Sequence, residues 1–131
     1  MSISGASTVV VPGSSQYQPL INPITNTPLL ANASFTSLFE FVEMDDLTAW
    51  HTYVAVIASS DQPGTLYIEQ SIDGVNVSRS DSQATGADPG PQGGQSTLLK
   101  VQIIMPFVRY RYVNGATNQT RFVIWRRFVH A

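Results

Sequence analysis

Apolar and polar residues alternate along most of the chain after residue 34. The clearest case is Phe-Val-Arg-Tyr-Arg-Tyr-Val at 107–113, where apolar residues at every second position alternate with Arg109 and Arg111. Side chains with a two-residue period point to opposite faces of a β-strand. The same interpretation applies to the segments 35–43, 50–59, 65–72, 97–104 and 119–129. Because no segment is convincingly helical, the pattern predicts an all-β protein.

The end of the chain predicts a closing hairpin. Asn114 and Gly115 stand between the strand segments 107–113 and 119–129. An Asn-Gly pair favours a tight hairpin, because both central residues of a type I′ turn need positive φ. This region is the most apolar, aromatic and basic part of the chain, so we expect the other strands to pack around it.

Other turn signals divide the middle of the chain. The Pro-Gly pair at 63–64 predicts a type II turn, and the Asp-Gly pair at 73–74 predicts a hairpin with a short return strand at 75–79. The Gly- and Pro-containing segment 80–96 is expected to be a long loop. These signals together predict a single jelly-roll-like antiparallel β-sandwich of about seven to eight strands.

The first part of the chain has a different composition. Residues 1–34 carry no charged side chain and contain four prolines, which disfavour a helix or a central strand. We therefore divide the chain into an extended N-terminal arm, 1–34, and a β-sandwich domain, 35–131. The arm is expected to contact a partner subunit through its apolar residues, and the alternative is that it packs on its own domain. These apolar residues are Val9, Val10, Val11, Tyr17, Leu20, Ile21, Ile24, Leu29 and Leu30.

Composition and charge narrow the classes of function. The 131-residue chain has no cysteine, which excludes disulfides and thiolate metal sites. It shows neither a secretory signal pattern nor an apolar run long enough for a membrane helix, so we expect no membrane partner. All nine acidic residues lie between Glu40 and Asp88, and six of the seven basic residues lie from Lys100 onward. Pairing of these two halves is favoured over a nucleic-acid surface, because the net charge is −2.

No catalytic motif is present, and we expect neither enzyme activity nor a metal or cofactor. The acids Glu43, Asp45 and Asp46 could bind calcium, but three acids in a turn are more often solvated. His51 and His130 have no second ligand at metal spacing. Exposed aromatic side chains could form a sugar-binding platform, although a domain of this size needs most of them in its core. The aromatic candidates are Trp50, Tyr53, Tyr67, Tyr110, Tyr112 and Trp125.

The arginines of the predicted hairpin are the remaining candidate contact residues. Arg109 and Arg111 share one strand face, and the hairpin would place Arg121 and Arg127 beside them. Four cations on one sheet face repel one another unless carboxylates meet them. We therefore expect Arg109 and Arg111 to pair with an acidic partner surface or with carboxylates of the chain itself. The candidate carboxylates are Glu40, Glu43 and Glu69.

Two turn-and-strand motifs carry a family resemblance. Residues 64–74 match G-x-L-x-I-x-x-S-x-D-G, and residues 108–115 match V-R-x-x-Y-x-N-G. In this order, with a Gly-rich segment between them, they resemble small β-sandwich proteins from the structural modules of tailed bacteriophages. The resemblance covers residues 35–129, and its motifs indicate a fold more than a function.

Among such proteins the chain looks most like a capsid cement, or decoration, protein with a jelly-roll-like fold. That resemblance implies a homodimer or homotrimer on the outer surface of the virion, made in the host cytoplasm, that clamps neighbouring subunits of the major capsid protein. Many weak contacts repeated by symmetry would stabilise the head. A tail-fibre or adhesin module that binds host glycans is the alternative, and a small lyase or hydrolase is a more remote one.

Overall fold

The fold is described from a computed structural model of the chain. The structure describes residues 23–42, 52–87 and 96–130. Within these ranges the chain forms eight strands and no helix. The strands are β1 (Ser34–Thr36), β2 (Glu40–Phe41), β3 (Thr52–Ser60), β4 (Gly64–Ser71), β5 (Arg79–Thr85), β6 (Thr97–Gln102), β7 (Phe107–Asn114) and β8 (Phe122–His130).

The strands form two antiparallel sheets. The five-stranded sheet has the order β1-β7-β4-β5, with β2 also pairing with β7. The three-stranded sheet has the order β6-β3-β8. This arrangement confirms the predicted all-β sandwich, and the eight strands of the described residues agree with the predicted seven to eight.

The core lies between the two sheets and follows the predicted alternation. On β7, Val108, Tyr110 and Tyr112 are buried, and the two intervening arginines are only half-buried. The inward positions of the other strands supply aliphatic and aromatic side chains whose burial drives folding. The main contributors are Val54 and Val56 from β3, Leu66 and Ile68 from β4, Val101 from β6, and Phe122 and Ile124 from β8.

The predicted closing hairpin is wrong. Strand β7 belongs to the five-stranded sheet and β8 to the three-stranded sheet, so the connection at Asn114 and Gly115 crosses between sheets. Neither residue has positive φ. The Asn114 amide instead donates to the carbonyl groups of Leu30 and Thr117, both at 2.9 Å. A Cβ on Gly115 would lie 2.8 Å from the Pro63 carbonyl oxygen, so glycine is needed here for close packing.

The predicted type II turn is wrong for a related reason. Gly64 begins β4, and the connection from β3 to β4 also crosses between sheets. Gly64 lacks positive φ. A Cβ at Gly64 would lie 2.5 Å from the Tyr112 hydroxyl oxygen and 2.6 Å from the Val113 carbonyl oxygen. The two crossing connections meet directly, since the Gly115 N–H donates to the Pro63 carbonyl at 3.1 Å.

The hairpin at Asp73 and Gly74 is confirmed. It joins β4 to β5, and Gly74 has a φ of 76°. Asp73 stabilises the loop by accepting hydrogen bonds from the backbone N–H groups of Val75 and Asn76. These bonds hold the pKa of Asp73 well below its ordinary value. The return strand is β5 at 79–85 and not the predicted 75–79, so the first part of the expected long loop is a strand.

The segment 35–43 was expected to be one strand, but it is interrupted. It forms β1 and β2, with residues 37–39 between them, and both strands pair with β7. The polypeptide just before it contacts the sandwich as well. The Ile24 N–H donates to the Ile124 carbonyl at 2.7 Å, and the Leu29 side chain packs against the core. The boundary between residues 34 and 35 stays a prediction, and residues 1–22 lie outside the described ranges.

A candidate arginine–aromatic binding face

The outer face of the five-stranded sheet gathers arginine, glutamate and aromatic side chains. Register pairs Glu69 with Arg109, Tyr67 with Arg111, and Phe41 with Phe107. The positions between them along β4 and β7 are buried in the core, so these six side chains point to the opposite side of the sheet. We call this surface, together with Phe39, the arginine–aromatic face.

Glu69 is the centre of this face. One of its carboxylate oxygens accepts a hydrogen bond from Arg109 Nε at 2.8 Å, and the other accepts from Arg111 Nε at 2.9 Å. Glu69 is only 4% exposed, whereas the arginine side chains are 25% and 30% exposed. A buried carboxylate needs such partners, because removal from water is costly for a charge. The expectation that Arg109 and Arg111 pair with a carboxylate of the chain itself is confirmed, and of the three candidates the partner is Glu69.

Aromatic rings support both guanidinium groups. Arg111 Cζ lies 3.8 Å from the ring centroid of Tyr67, and Arg109 Cζ lies 4.6 Å from that of Phe39. Cation–π attraction and the bonds to Glu69 hold each group in place. Each Nε is used internally, and among the described residues no acceptor contacts the Nη groups. The face thus presents fixed, charged donors at its surface.

An exposed apolar end continues the arginine–aromatic face. Phe41, 66% exposed, contacts the Phe107 ring edge to face at a centroid distance of 5.6 Å. The loop after β4 reaches this end, since Gly74 packs against the Phe107 ring. Ile72 and Val75 in that loop are 67% and 72% exposed. Large apolar side chains grouped in this way are typical of a surface that binds a protein.

A second cluster links the two sheets. Glu40 on β2 accepts a hydrogen bond from the Tyr110 hydroxyl at 2.6 Å and forms two bonds with Arg126 of β8, at 2.8 and 2.9 Å. Burial raises the pKa of Glu40, but the bonds from Arg126 and Tyr110 outweigh it and hold this pKa below its ordinary value of 4.5. Burial, followed by the charge of Glu40, raises the pKa of Tyr110. This cluster borders a shallow cleft of about 210 Å³ that is also lined by Ile24 and Leu38.

The comparisons with known proteins agree with this fold. The model of the YqxG N-terminal domain family, described as the N-terminal domain of the uncharacterised protein YqxG, matches residues 14–128. The chain belongs to this family. No curated protein matches the chain.

Two solved structures are similar to this YqxG N-terminal domain. The crystal structure of the PBSX exported protein XepA matches with a TM-score of 0.65 and 27% identity, over 80% of this chain and 35% of XepA. The chain therefore spans about a third of the length of XepA. A structure of infectious bursal disease virus, Gx strain, matches with a TM-score of 0.44 and 12% identity, over 82% of this chain and 29% of the viral chain. The likeness to XepA supports the expected relation to phage proteins.

The structure brings together some of the sequence-predicted residues and separates others. Arg121 and Arg127 do not lie beside Arg109 and Arg111, because β7 and β8 are in different sheets. Of the candidate arm residues that are described, Ile24 and Leu29 pack on the domain's own core and Leu30 is 70% exposed. The others lie outside the described ranges: Val9, Val10, Val11, Tyr17, Leu20 and Ile21.

The pairing of Glu40 with Arg126 was missed. Arg126 lies at an inward position of β8, between Ile124 and Phe128 in the two-residue period. A charged residue on an apolar strand face signals a buried ion pair, and that signal was present in the sequence. Glu40 was a candidate partner for Arg109 and Arg111, and that candidate is wrong because Glu40 pairs with Arg126.

Most aromatic candidates for a sugar platform are buried in the core or covered by a cationic side chain. Tyr110 and Tyr112 are buried in the core. Arg111 covers Tyr67, and Lys100 Nζ lies 4.7 Å from the ring centroid of Tyr53. Trp50 lies outside the described ranges.

Other candidate chemistry receives no support from the part of the chain that is described. Residues 23–42, 52–87 and 96–130 contain no group of three or more His, Asp or Glu side chains placed to hold a metal ion. The same ranges contain no helix that could span a membrane. The acids proposed for calcium, Glu43, Asp45 and Asp46, lie outside these ranges, as does His51.

Proposed function

We propose that this YqxG N-terminal domain is a structural component of phage particles that binds a protein surface of the virion. The arginine–aromatic face is the observation that carries the proposal. Arginine and exposed aromatic side chains are enriched in protein–protein interfaces, and here they lie on one sheet face. The likeness to the PBSX protein XepA supports a phage context.

Within that class we propose a cement role, with the major capsid protein as partner and the outer capsid surface as location. A cement protein adds stability through many repeated contacts, so each copy needs a fixed binding face more than a catalytic pocket. Self-association as a dimer or trimer would multiply these contacts. XepA is named as an exported protein, so export from the host cell is the competing location.

The test uses heads of the encoding phage purified from a strain that lacks the gene. The chain is added back, and the heads are sedimented and heated while DNA release is followed by dye fluorescence. The cement proposal predicts saturable co-sedimentation and a higher temperature of DNA release. Binding to tails or to host cells, with no binding to heads, would overturn it in favour of a tail-fibre or adhesin role.

We propose that the N-terminal arm is the clamp that holds neighbouring capsid subunits, and a deletion of residues 1–22 tests this role. A deletion of 1–34 would also remove Ile24 and Leu29, which pack against the core, and would confuse binding with folding. The shorter deletion is expected to leave a folded domain that binds heads but no longer raises the temperature of DNA release. Full stabilisation by the truncated chain would show that the arm is not a clamp.

A further inference from the structure

The arginine–aromatic face has the features of a preformed receptor for carboxylates. Two guanidinium groups and one carboxylate give the cluster a net charge of +1. Each Glu69 oxygen accepts from one Nε, and the Nη groups of Arg109 and Arg111 have no acceptor among the described residues. Arginine binds carboxylates through paired N–H donors, and its charged hydrogen bonds are about twice as strong as neutral ones.

The neighbouring residues indicate which carboxylates fit. Arg109 and Arg111 are two positions apart on β7, roughly 7 Å, and Phe107 follows at the same spacing. Phe107 contacts the exposed Phe41, so apolar surface lies directly beside the two charges. An extended peptide has the same two-residue spacing along its own length. It could therefore place acidic side chains on the arginines and an apolar side chain on the two phenylalanines.

We propose that the arginine–aromatic face binds an extended acidic segment of a partner protein, with acidic residues at two alternate positions and a large apolar residue at the next. This inference names the partner chemistry of the proposed function and rests on it. Glu69 is a positioning residue in this site, because it holds both guanidinium groups but has no free oxygen for a ligand.

The experiment measures binding of a fluorescein-labelled peptide by anisotropy, at low and at physiological salt. The probe peptide carries glutamates at two alternate positions followed by a leucine at the next, in a Ser/Thr background, and the control peptide has the same composition in scrambled order. The full chain is expected to bind the probe about tenfold more tightly than the scrambled peptide, since only the probe matches the spacing. Equal binding of both peptides would overturn the proposal.

Matched variants identify the site. The double variant Arg109→Gln/Arg111→Gln should weaken probe binding about tenfold or more. Arg79→Gln should change it less than about twofold, because Arg79 pairs with Asp81 on β5, opposite the buried Gln70 and away from this face. An equal loss of probe affinity in Arg79→Gln would show that binding depends only on the net charge of the protein, and this result would contradict the proposal.

Glu69→Gln separates positioning from charge. The substitution adds one positive charge to the chain, so simple attraction predicts tighter binding of the acidic probe. Release of the two arginines predicts weaker binding, which is our expectation. Circular dichroism and a thermal melt check that the variant is folded. Arg111→Lys is an independent test, because it keeps the charge without the planar donors. We expect it to lose affinity for the probe as Glu69→Gln does.

Two further probes and the phage heads complete the test. Tighter binding of heparin or inorganic phosphate, with the same arginine dependence, would overturn the acidic-peptide assignment in favour of another anion. Head binding that survives Arg109→Gln/Arg111→Gln would disprove this inference and leave the proposed function intact. Specific peptide binding without any head binding would disprove the proposed function alone.

Discussion

Two clusters of this protein contain a glutamate, arginine and aromatic side chains, yet they differ in what surrounds the donors. In the first, Glu40 accepts from Arg126 and from the hydroxyl of Tyr110, which is 2% exposed and lies in the core. In the second, within the described part of the chain, Glu69 accepts only from two arginines, whose side chains are 25% and 30% exposed.

The two clusters differ in how freely their hydrogen-bond donors can reorient. The phenol of Tyr110 is fixed by core packing and has no other acceptor among the described residues, so it depends on Glu40. Long arginine side chains can turn to water if Glu69 is lost. The first cluster is therefore expected to matter for stability, since it joins β2, β7 and β8 across the two sheets. The second can exchange solvent for a partner, which suits binding.

The largest expected effect comes from removing each carboxylate. Glu40→Ala should lower the free energy of unfolding by about 3 kcal/mol, because it removes both bonds from Arg126 and leaves the buried Tyr110 hydroxyl without its acceptor. Glu69→Ala should cost about 1 kcal/mol, since its arginines regain water. Urea denaturation with a common m value measures both. Equal losses would remove the distinction between the clusters.

A pair of tyrosine variants measures how much each tyrosine hydroxyl contributes to stability. Tyr110→Phe should cost about 1.5 kcal/mol, because its hydroxyl donates to a charged acceptor at 2.6 Å. Tyr67→Phe should stay within about 0.5 kcal/mol, since Tyr67 serves through its ring face under Arg111. The same urea titration compares them. A costly Tyr67→Phe would show that this hydroxyl has a structural role.

The pH dependence of stability sharpens the role of Glu40. Its folded pKa is lowered relative to the ordinary 4.5 of the unfolded chain. The stabilisation is therefore complete above about pH 4.5 and is lost as the pH falls through the folded pKa. The stability difference between the wild type and Glu40→Gln should shrink over that acidic window. Between pH 6 and 8 the same difference should stay constant to within about 0.5 kcal/mol. A difference that does not change with acid would contradict the assignment.

The alternation along β7 predicted which of its residues share each side of the strand. Val108, Tyr110 and Tyr112 share the buried side, and Arg109 and Arg111 pair with Glu69, one of the three carboxylates that charge balance on the other side had suggested. A two-residue period determines which side of a strand is buried. It does not determine the neighbouring strand, and β7 and β8 were wrongly paired for that reason.

The two glycine-containing turns show why pairing could not be predicted. Gly74 has the positive φ that a tight turn needs, and it lies in a true hairpin. Gly115 is required instead because the Pro63 carbonyl lies too close for a Cβ. Both requirements produce the same residue in the sequence. Only the three-dimensional contact between residues 63 and 115, which are distant along the chain, distinguishes them.

The smallest expected stability effect is at the proposed binding face. Arg109→Gln/Arg111→Gln should lower the free energy of unfolding by about 1 kcal/mol, because the glutamine amides still donate hydrogen bonds and the shorter side chains admit water to Glu69. The same variant is expected to lose most of its affinity for a partner, and more at low salt than at high salt, because screening weakens the charge interaction. Urea titration and head co-sedimentation at two salt concentrations measure the two effects. A loss of stability as large as that of Glu40→Ala would assign the arginines to the fold, and the contrast between the clusters would then be lost.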